Sequence, residues 1–289
     1  MPSSNTKFLG DACHDCLLEQ TTRLATRLIQ DTEKRAPLLN EIRCMLEEAF
    51  KSGEILGVHR DVYAKIYDVA GNPDPFLAIK QKSTQEVLTI YPRLKEKVES
   101  ADDPIDLAAR YAIAGNVIDF GLPHQMDLHH EIDTALERPL AINHLPLLQQ
   151  RIAESDSLLY LGDNAGETVL DRLLIETIGL PTVYLVRGAP VINDATEADA
   201  YEAGLDTVAS ILSSGSDHAG TVLEDCSPEV QSLFASAPIV ISKGMGNFEA
   251  LIHAKREIFF LLKVKCDLVA DHVNANVGDS ILLAANASH

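Results

Sequence analysis

Three short loops carry most of the residues able to do chemistry. The first, Gly162-Asp163-Asn164-Ala165-Gly166-Glu167, follows the apolar run 157–161. Oxygen ligands such as Asp163 and Asn164 suit a hard cation like Mg²⁺ or Mn²⁺, and a helix starting behind them favours an anion. The same residues read equally as a helix cap in a glycine turn. The second loop, Arg187 to Thr196, follows the run 182–186 and repeats an Asn193-Asp194 pair beside an arginine. Two acidic-amide pairs after two apolar runs favour a shared ion over two unrelated caps. The third, Ser242-Lys243-Gly244-Met245-Gly246-Asn247, closes the run 238–242. Its glycines let backbone N–H groups approach a ligand, and Lys243 reads as a point charge for a phosphate. A fourth segment, 114–121, places Asn116 and Asp119 at helical i, i+3 spacing, where they share one face.

These loops must be held by a regular scaffold. Residues 38–51, 58–69 and 86–98 repeat apolar side chains at helical spacing, with turn chemistry at 71–75 and 102–104. After about residue 150 the pattern changes to short apolar runs that end in polar loops, with room for helices at 167–178 and 197–204. Buried parallel strands alternating with helices are the expectation. The runs 259–264 and 267–273 read as two further strands. The fold expected is a Rossmann-like three-layer α/β/α domain, residues 106–289, preceded by a helical N-terminal region, residues 1–105. In such a sheet ligands gather at the C-terminal strand ends, where the three loops converge.

Composition narrows the partners. A net charge of −19 repels nucleic acid and anionic membranes, so neither is expected. No stretch has the apolar length of a signal sequence or a membrane span, and a cytoplasmic protein is the expectation. Five cysteines do not fit a secreted disulfide framework. Cys13 and Cys16 form a CxxC, half of a zinc site that Cys44 and Cys266 would complete only if the fold gathers them. Buried or structural thiols are the preferred reading. His124, His129 and His130 fit a pocket rim or a solvated face.

Taken together, Cys13-His14-Asp15-Cys16, Gly115-Asn116 with Asp119, Asp163 to Glu167, Asn193-Asp194 and Ser242-Lys243-Gly244 resemble the DUF89 family, the damage-control phosphatases. They are most similar to its archaeal and bacterial type, which carries an N-terminal CxxC. The resemblance implies a divalent metal (Mn²⁺, Mg²⁺, Co²⁺ or Ni²⁺) bound by Asp163, Asn164 and Asp194. It implies hydrolysis of small phosphorylated metabolites, such as sugar phosphates or damaged phosphometabolites. It also implies phosphate contact at Lys243 and a pocket lined by Asn116 and Asp119.

A mechanism follows as an expectation. Lys243, Gly244, Arg187 and backbone N–H groups of 165–167 and 244–246 hold the phosphate, and Glu167 or Asp119 is the general base. Asp163 as a covalent nucleophile is an open alternative. Two other classes compete. A carboxyl methyltransferase using S-adenosylmethionine wants a glycine loop where Asp163-Asn164 stands. A non-catalytic phosphometabolite-binding protein leaves the two acidic-amide pairs unexplained.

Overall fold

Residues 11–53, 55–115, 132–133 and 136–286 are described by the structure, a computed structural model. Helices come first. In α2 (Thr32–Ser52), Leu38, Ile42, Leu46 and Ala49 line one buried face; Asp31 caps its start, and Gly53, at φ 83°, ends it. With α1 (Asp11–Leu28) and α3 (Ile55–Ala70) it encloses a core of its own around Ala25, Ile42, Leu46, Val62 and Ile66. The next two helices go elsewhere. α4 (Leu77–Glu99) and α5 (Pro104–Gly115) send Val87, Leu94, Ala108 and Ala112 into the core beneath the sheet. The helical part therefore divides between two cores, with α1–α3 forming a cap.

The sheet has seven strands in the order β1–β7–β6–β5–β2–β3–β4. They are β1 (Ile142–Asn143), β2 (Leu158–Leu161), β3 (Thr182–Val186), β4 (Ser210–Ser213), β5 (Val240–Lys243), β6 (Ile258–Lys263) and β7 (Ser280–Ala285). Strands β2 to β6 run parallel, and β7 lies antiparallel to β6. β2 and β5 are buried along their whole length, which is why they read as unbroken apolar runs. One face is covered by α4, α5, α6 (Leu145–Glu154), α7 (Thr168–Ile178) and α8 (Glu197–Glu202). The other is covered by α9 (Pro228–Ser236), α10 (Gly244–Leu251) and α11 (Asp267–Val273). The three-layer Rossmann-like architecture expected from the alternating pattern is thus the one observed.

One expected strand is a helix. Residues 267–273 form α11, because Val269, Ala270 and Val273 fall on one helical face against the sheet and left-handed Asn274 stops the turn. The strand that pairs with β6 is instead β7, further along the chain. Among the described residues no helix is long and apolar enough to cross a membrane.

The strand order positions the site. From β2 the chain moves outward through β3 and β4, then returns to place β5 on the other side of β2. The crevice at the C-terminal ends of β2 and β5 is the point where direction reverses, the usual ligand position in an open α/β sheet.

The cap meets this edge partly through His59 of α3, beside His218 of the loop after β4. Burial, aided by the His218 charge, pushes His59 down to about 4. An unfolded chain takes up that proton near 6.5, so the native state loses stability as pH falls from 6.5 towards 4. We expect urea midpoints to drop between pH 7 and pH 5, and the His59→Gln protein to show a flatter profile across that window.

Candidate active site

Asp163 and Asn164 leave β2 and enter a short 3₁₀ turn, Ala165–Glu167, which runs into α7. Asp194 ends the loop after β3 and forms a bridge with Asn164. Further backbone bonds lock the two loops: Ala165 N–H donates to Asn193 O at 2.9 Å and Ala195 N–H to Asp163 O at 2.7 Å. Capping does not account for Asp194. Helix α8 is capped by Thr196, which shares a capping box with Asp199. Asp163 and Asp194 are thereby brought together, both nearly buried.

Gly244 forms the floor. Its φ is +76°, and a Cβ on it would sit 1.9 Å from Asp163 Oδ2. Only glycine lets α10 begin this close to the carboxylate. The N–H groups of 244–246 occupy the first turn of α10, where no intrahelical partner exists.

Lys243 is placed differently from the phosphate contact expected of it. Its side chain is fully buried, and its ammonium donates to Glu167 Oε2 at 2.9 Å and Asp171 Oδ1 at 2.7 Å. Burial alone would lower this lysine, but Asp171 and Glu167 outweigh it and raise it. Glu167, expected as a base, accepts from Lys243 and from Asn164 Nδ2 at 2.5 Å. Asp171 is further held by the Tyr160 and Tyr184 hydroxyls at 2.7 and 2.8 Å, and the two rings stack 5.3 Å apart. The Lys243 cluster is a buried prop beneath the loops, not an open anion site.

Arg187 is likewise enclosed. It donates to Asp194 Oδ2 at 2.7 Å, to Asn247 Oδ1 at 3.1 Å and to Thr221 Oγ1 at 3.3 Å. Its buried Nη2 has no hydrogen-bond partner and lies 3.6 Å from Asp163 Oδ1. Two backbone donors expected to cradle phosphate are also taken: Ala165 N–H by Asn193 O, and Glu167 N–H by Asn164 O at 3.1 Å. Asn116 and Asp119 lie outside the described residues, as do His124, His129 and His130. Gly115, just before Asn116, abuts Glu167; a Cβ there would stand 3.3 Å from Glu167 Cγ.

Asp171 and Lys265 are not marked by the sequence, and Asn247, at the end of the third loop, has no role assigned by it. Asp171 announces itself only as an acid on the apolar face of α7. Asn247, fully buried, donates to Gly162 O at 3.0 Å and Lys243 O at 2.8 Å, joining the β2 and β5 loops. Lys265 follows β6 at the same sheet edge and is exposed, yet its charge acts on Asp163. Among the described residues no carboxylate stands within ion-pair distance of the Lys265 ammonium.

The electrostatics leave this pocket short of positive charge. Burial, then Asp194 and Glu167, push Asp163 up to about 8, against Arg187 and Lys265. Burial raises Asp194 also, although Arg187 opposes it. Two buried carboxylates that resist ionisation fit a site completed by a cation. Among the described residues no three His, Cys, Asp or Glu side chains are grouped to hold an ion. An ion here would take two carboxylates and amide oxygen, with water filling its remaining positions, a donor set suited to Mg²⁺ or Mn²⁺. Among the described residues the cysteines build no such group: Cys16 and Cys44 are exposed, and the Cys16 charge acts on Cys266. Cys226 is buried and pushed up to about 11 by that burial.

Fold and site define a Rossmann-like α/β enzyme with a buried acidic cluster at its switch point. The chain belongs to the damage-control phosphatase ARMT1-like domain family, which it matches over residues 10–281, and it is a phosphatase. It is 32% identical to a damage-control phosphatase of Pyrococcus horikoshii over 92% of this chain and 94% of that one. It is 30% identical to a damage-control phosphatase of Archaeoglobus fulgidus over 94% of this chain and 98% of that one. The crystal structure of a DUF89 family protein from Pyrococcus horikoshii superposes with a TM-score of 0.88, at 29% identity, over 96% of this chain and 98% of that one.

The placement of the two lysines has a measurable consequence. Lys243→Met leaves Glu167 and Asp171 buried without their cation, and should cost about 3–5 kcal/mol in urea unfolding. Lys265→Ala, on the surface, should change stability by less than about 0.5 kcal/mol.

Proposed function

We propose that the chain hydrolyses small phosphomonoesters with one divalent ion held by Asp163, Asn164 and Asp194. The observation that carries this reading is the pair of buried, mutually repelling carboxylates joined across two strand ends, with the charge of exposed Lys265 acting on Asp163. Asn164 Nδ2 serves Asp163 Oδ2 at 3.1 Å and Glu167, leaving Oδ1 available to an ion. The resemblance to a metal-dependent phosphatase family supports the ion; Mn²⁺, Mg²⁺, Co²⁺ and Ni²⁺ are the candidates. When bound, the ion supplies Lewis-acid activation of phosphate and water.

The remaining roles belong to the chain. The N–H groups of 244–246 face the phosphate with the dipole of α10 behind them. Lys265 takes the point-charge role first given to Lys243, since it is exposed and near Asp163. Arg187 holds Asp194 in place. Lys243 fixes Glu167 and Asp171 through its two hydrogen bonds, so Glu167 is held as an acceptor able to orient water through Asn164. The substrate class we favour is small phosphorylated metabolites, in keeping with the damage-control names of the relatives. The methyltransferase alternative loses ground, because its glycine loop would have to occupy the hydrogen-bonded Asp163-Asn164 turn.

The test is phosphate release from an aryl phosphate and a sugar-phosphate panel, with EDTA and with each of the four metals restored in turn. Activity should vanish on chelation and return with at least one ion. Asp163→Ala should lower kcat about a thousand-fold or more while circular dichroism stays unchanged. Lys265→Ala should raise KM. Full activity in EDTA would overturn the reading.

A further inference from the structure

We propose that Tyr67, on cap helix α3, is a positioning residue for Asp194. This rests on the reading of Asp194 as an ion ligand. The residues 191–194 form a tight turn, closed by Asp194 N–H donating to Val191 O at 2.9 Å. Its second residue, Ile192, has φ 46°. Turns with positive φ at this place are dominated by Gly, Asn and Asp, and a β-branched residue is a steric outlier there. Something outside the turn must hold it.

Two contacts with the cap do so. The Ile192 N–H points away from the turn and donates to the Tyr67 hydroxyl at 3.0 Å. Val191, 3% exposed, and Ile192 pack into the apolar core of α1–α3. Tyr67 is itself buried, and burial pushes it up to about 12, so it stays a neutral hydroxyl able to accept. On its other side the turn is tied to the first loop through Asn193 O and the Asn164–Asp194 bridge. The turn is thus clamped between cap and sheet, and Asp194 is its last residue. Moving Ile192 out of the left-handed region would swing Asp194 relative to Asp163. Partners of this kind behind a metal ligand matter nearly as much as the ligand. They also give the cap a hold on the ligand set.

The test is Mn²⁺ titration of the metal-free full chain by calorimetry, with apo melting curves alongside. Tyr67→Phe keeps the ring and removes the acceptor, and should raise the Kd for Mn²⁺ about ten-fold. Tyr91→Phe is the control: it also deletes a buried hydroxyl, bonded to Glu176 far from the site, and should lower the melting point without changing Kd. Ile192→Gly supplies a residue that takes positive φ unaided. In that background Tyr67→Phe should change Kd less than about three-fold, a coupling that general loosening would not produce. This double variant also serves if Tyr67→Phe alone folds poorly. A wild-type Kd in Tyr67→Phe, with Asp194→Asn unable to bind Mn²⁺, overturns the positioning role and leaves the ligand reading standing. Wild-type binding by Asp194→Asn overturns the ligand reading and the inference with it.

Discussion

The constraint on which the rest depends is the burial of negative charge at the C-terminal edge of the sheet. Asp163, Glu167, Asp171 and Asp194 are each 8% exposed or less, and the buried cations among them are Lys243 and Arg187. Taking a carboxylate out of water costs several kcal/mol unless it is paired. Lys243 balances Glu167 and Asp171, while Arg187 is drawn to Asp194 and reaches Asp163 only at 3.6 Å. Among the described residues at this edge two buried cations thus face four buried carboxylates, and burial raises Asp163 and Asp194. The backbone serves the same end: Gly244 admits α10 to the carboxylate, and Asn247 ties the two loops that flank the switch point.

The helical part has two functions that follow from its division between two cores. α4 and α5 belong to the sheet domain. Lys80 of α4, buried, binds Asp199 of α8 at 2.9 Å and Asp74 at 2.8 Å. Thr84 of the same helix reaches Ala165 O at 3.5 Å, in the turn after Asp163. α1–α3 instead hold the second loop, through Val191 and the Tyr67 hydroxyl. The loop after β2 therefore leans on one set of helices and the loop after β3 on another.

Much of this was legible in the sequence. Strands buried on both faces announce themselves as apolar runs, and a polar loop after each marks an edge. The paired Asn and Asp after two such runs pointed to one pocket. The roles of the lysines were not legible. Lys243 ends a strand, and no periodicity tells whether its side chain turns towards the pocket or down onto Asp171. That direction is fixed by Tyr160 and Tyr184, partners a strand apart, and by an acid one helical turn beyond Glu167. Lys265 sits in a loop whose sequence resembles no anion site, and its place follows only from β6 lying beside β5. Residues 267–273 misled because seven residues with four apolar side chains satisfy a short strand and a short helix alike; the antiparallel return of β7, which decides it, leaves no local mark.

The order of the strands also governs when the pocket can exist during synthesis. β2 lies between β3, its neighbour in sequence, and β5, some eighty residues later, with Leu159 beside Val240. A nascent chain that ends before β5 already carries Glu167 and Asp171 but has neither Lys243 to neutralise them nor Gly244 to floor the cavity. Such long-range parallel pairing is slow to form, because the intervening loop must close before any contact rewards it. The ribosome must therefore deliver β5 before the acidic edge can dehydrate, and a product truncated ahead of it is left as an unfinished sheet with an aggregation-prone open flank at β2.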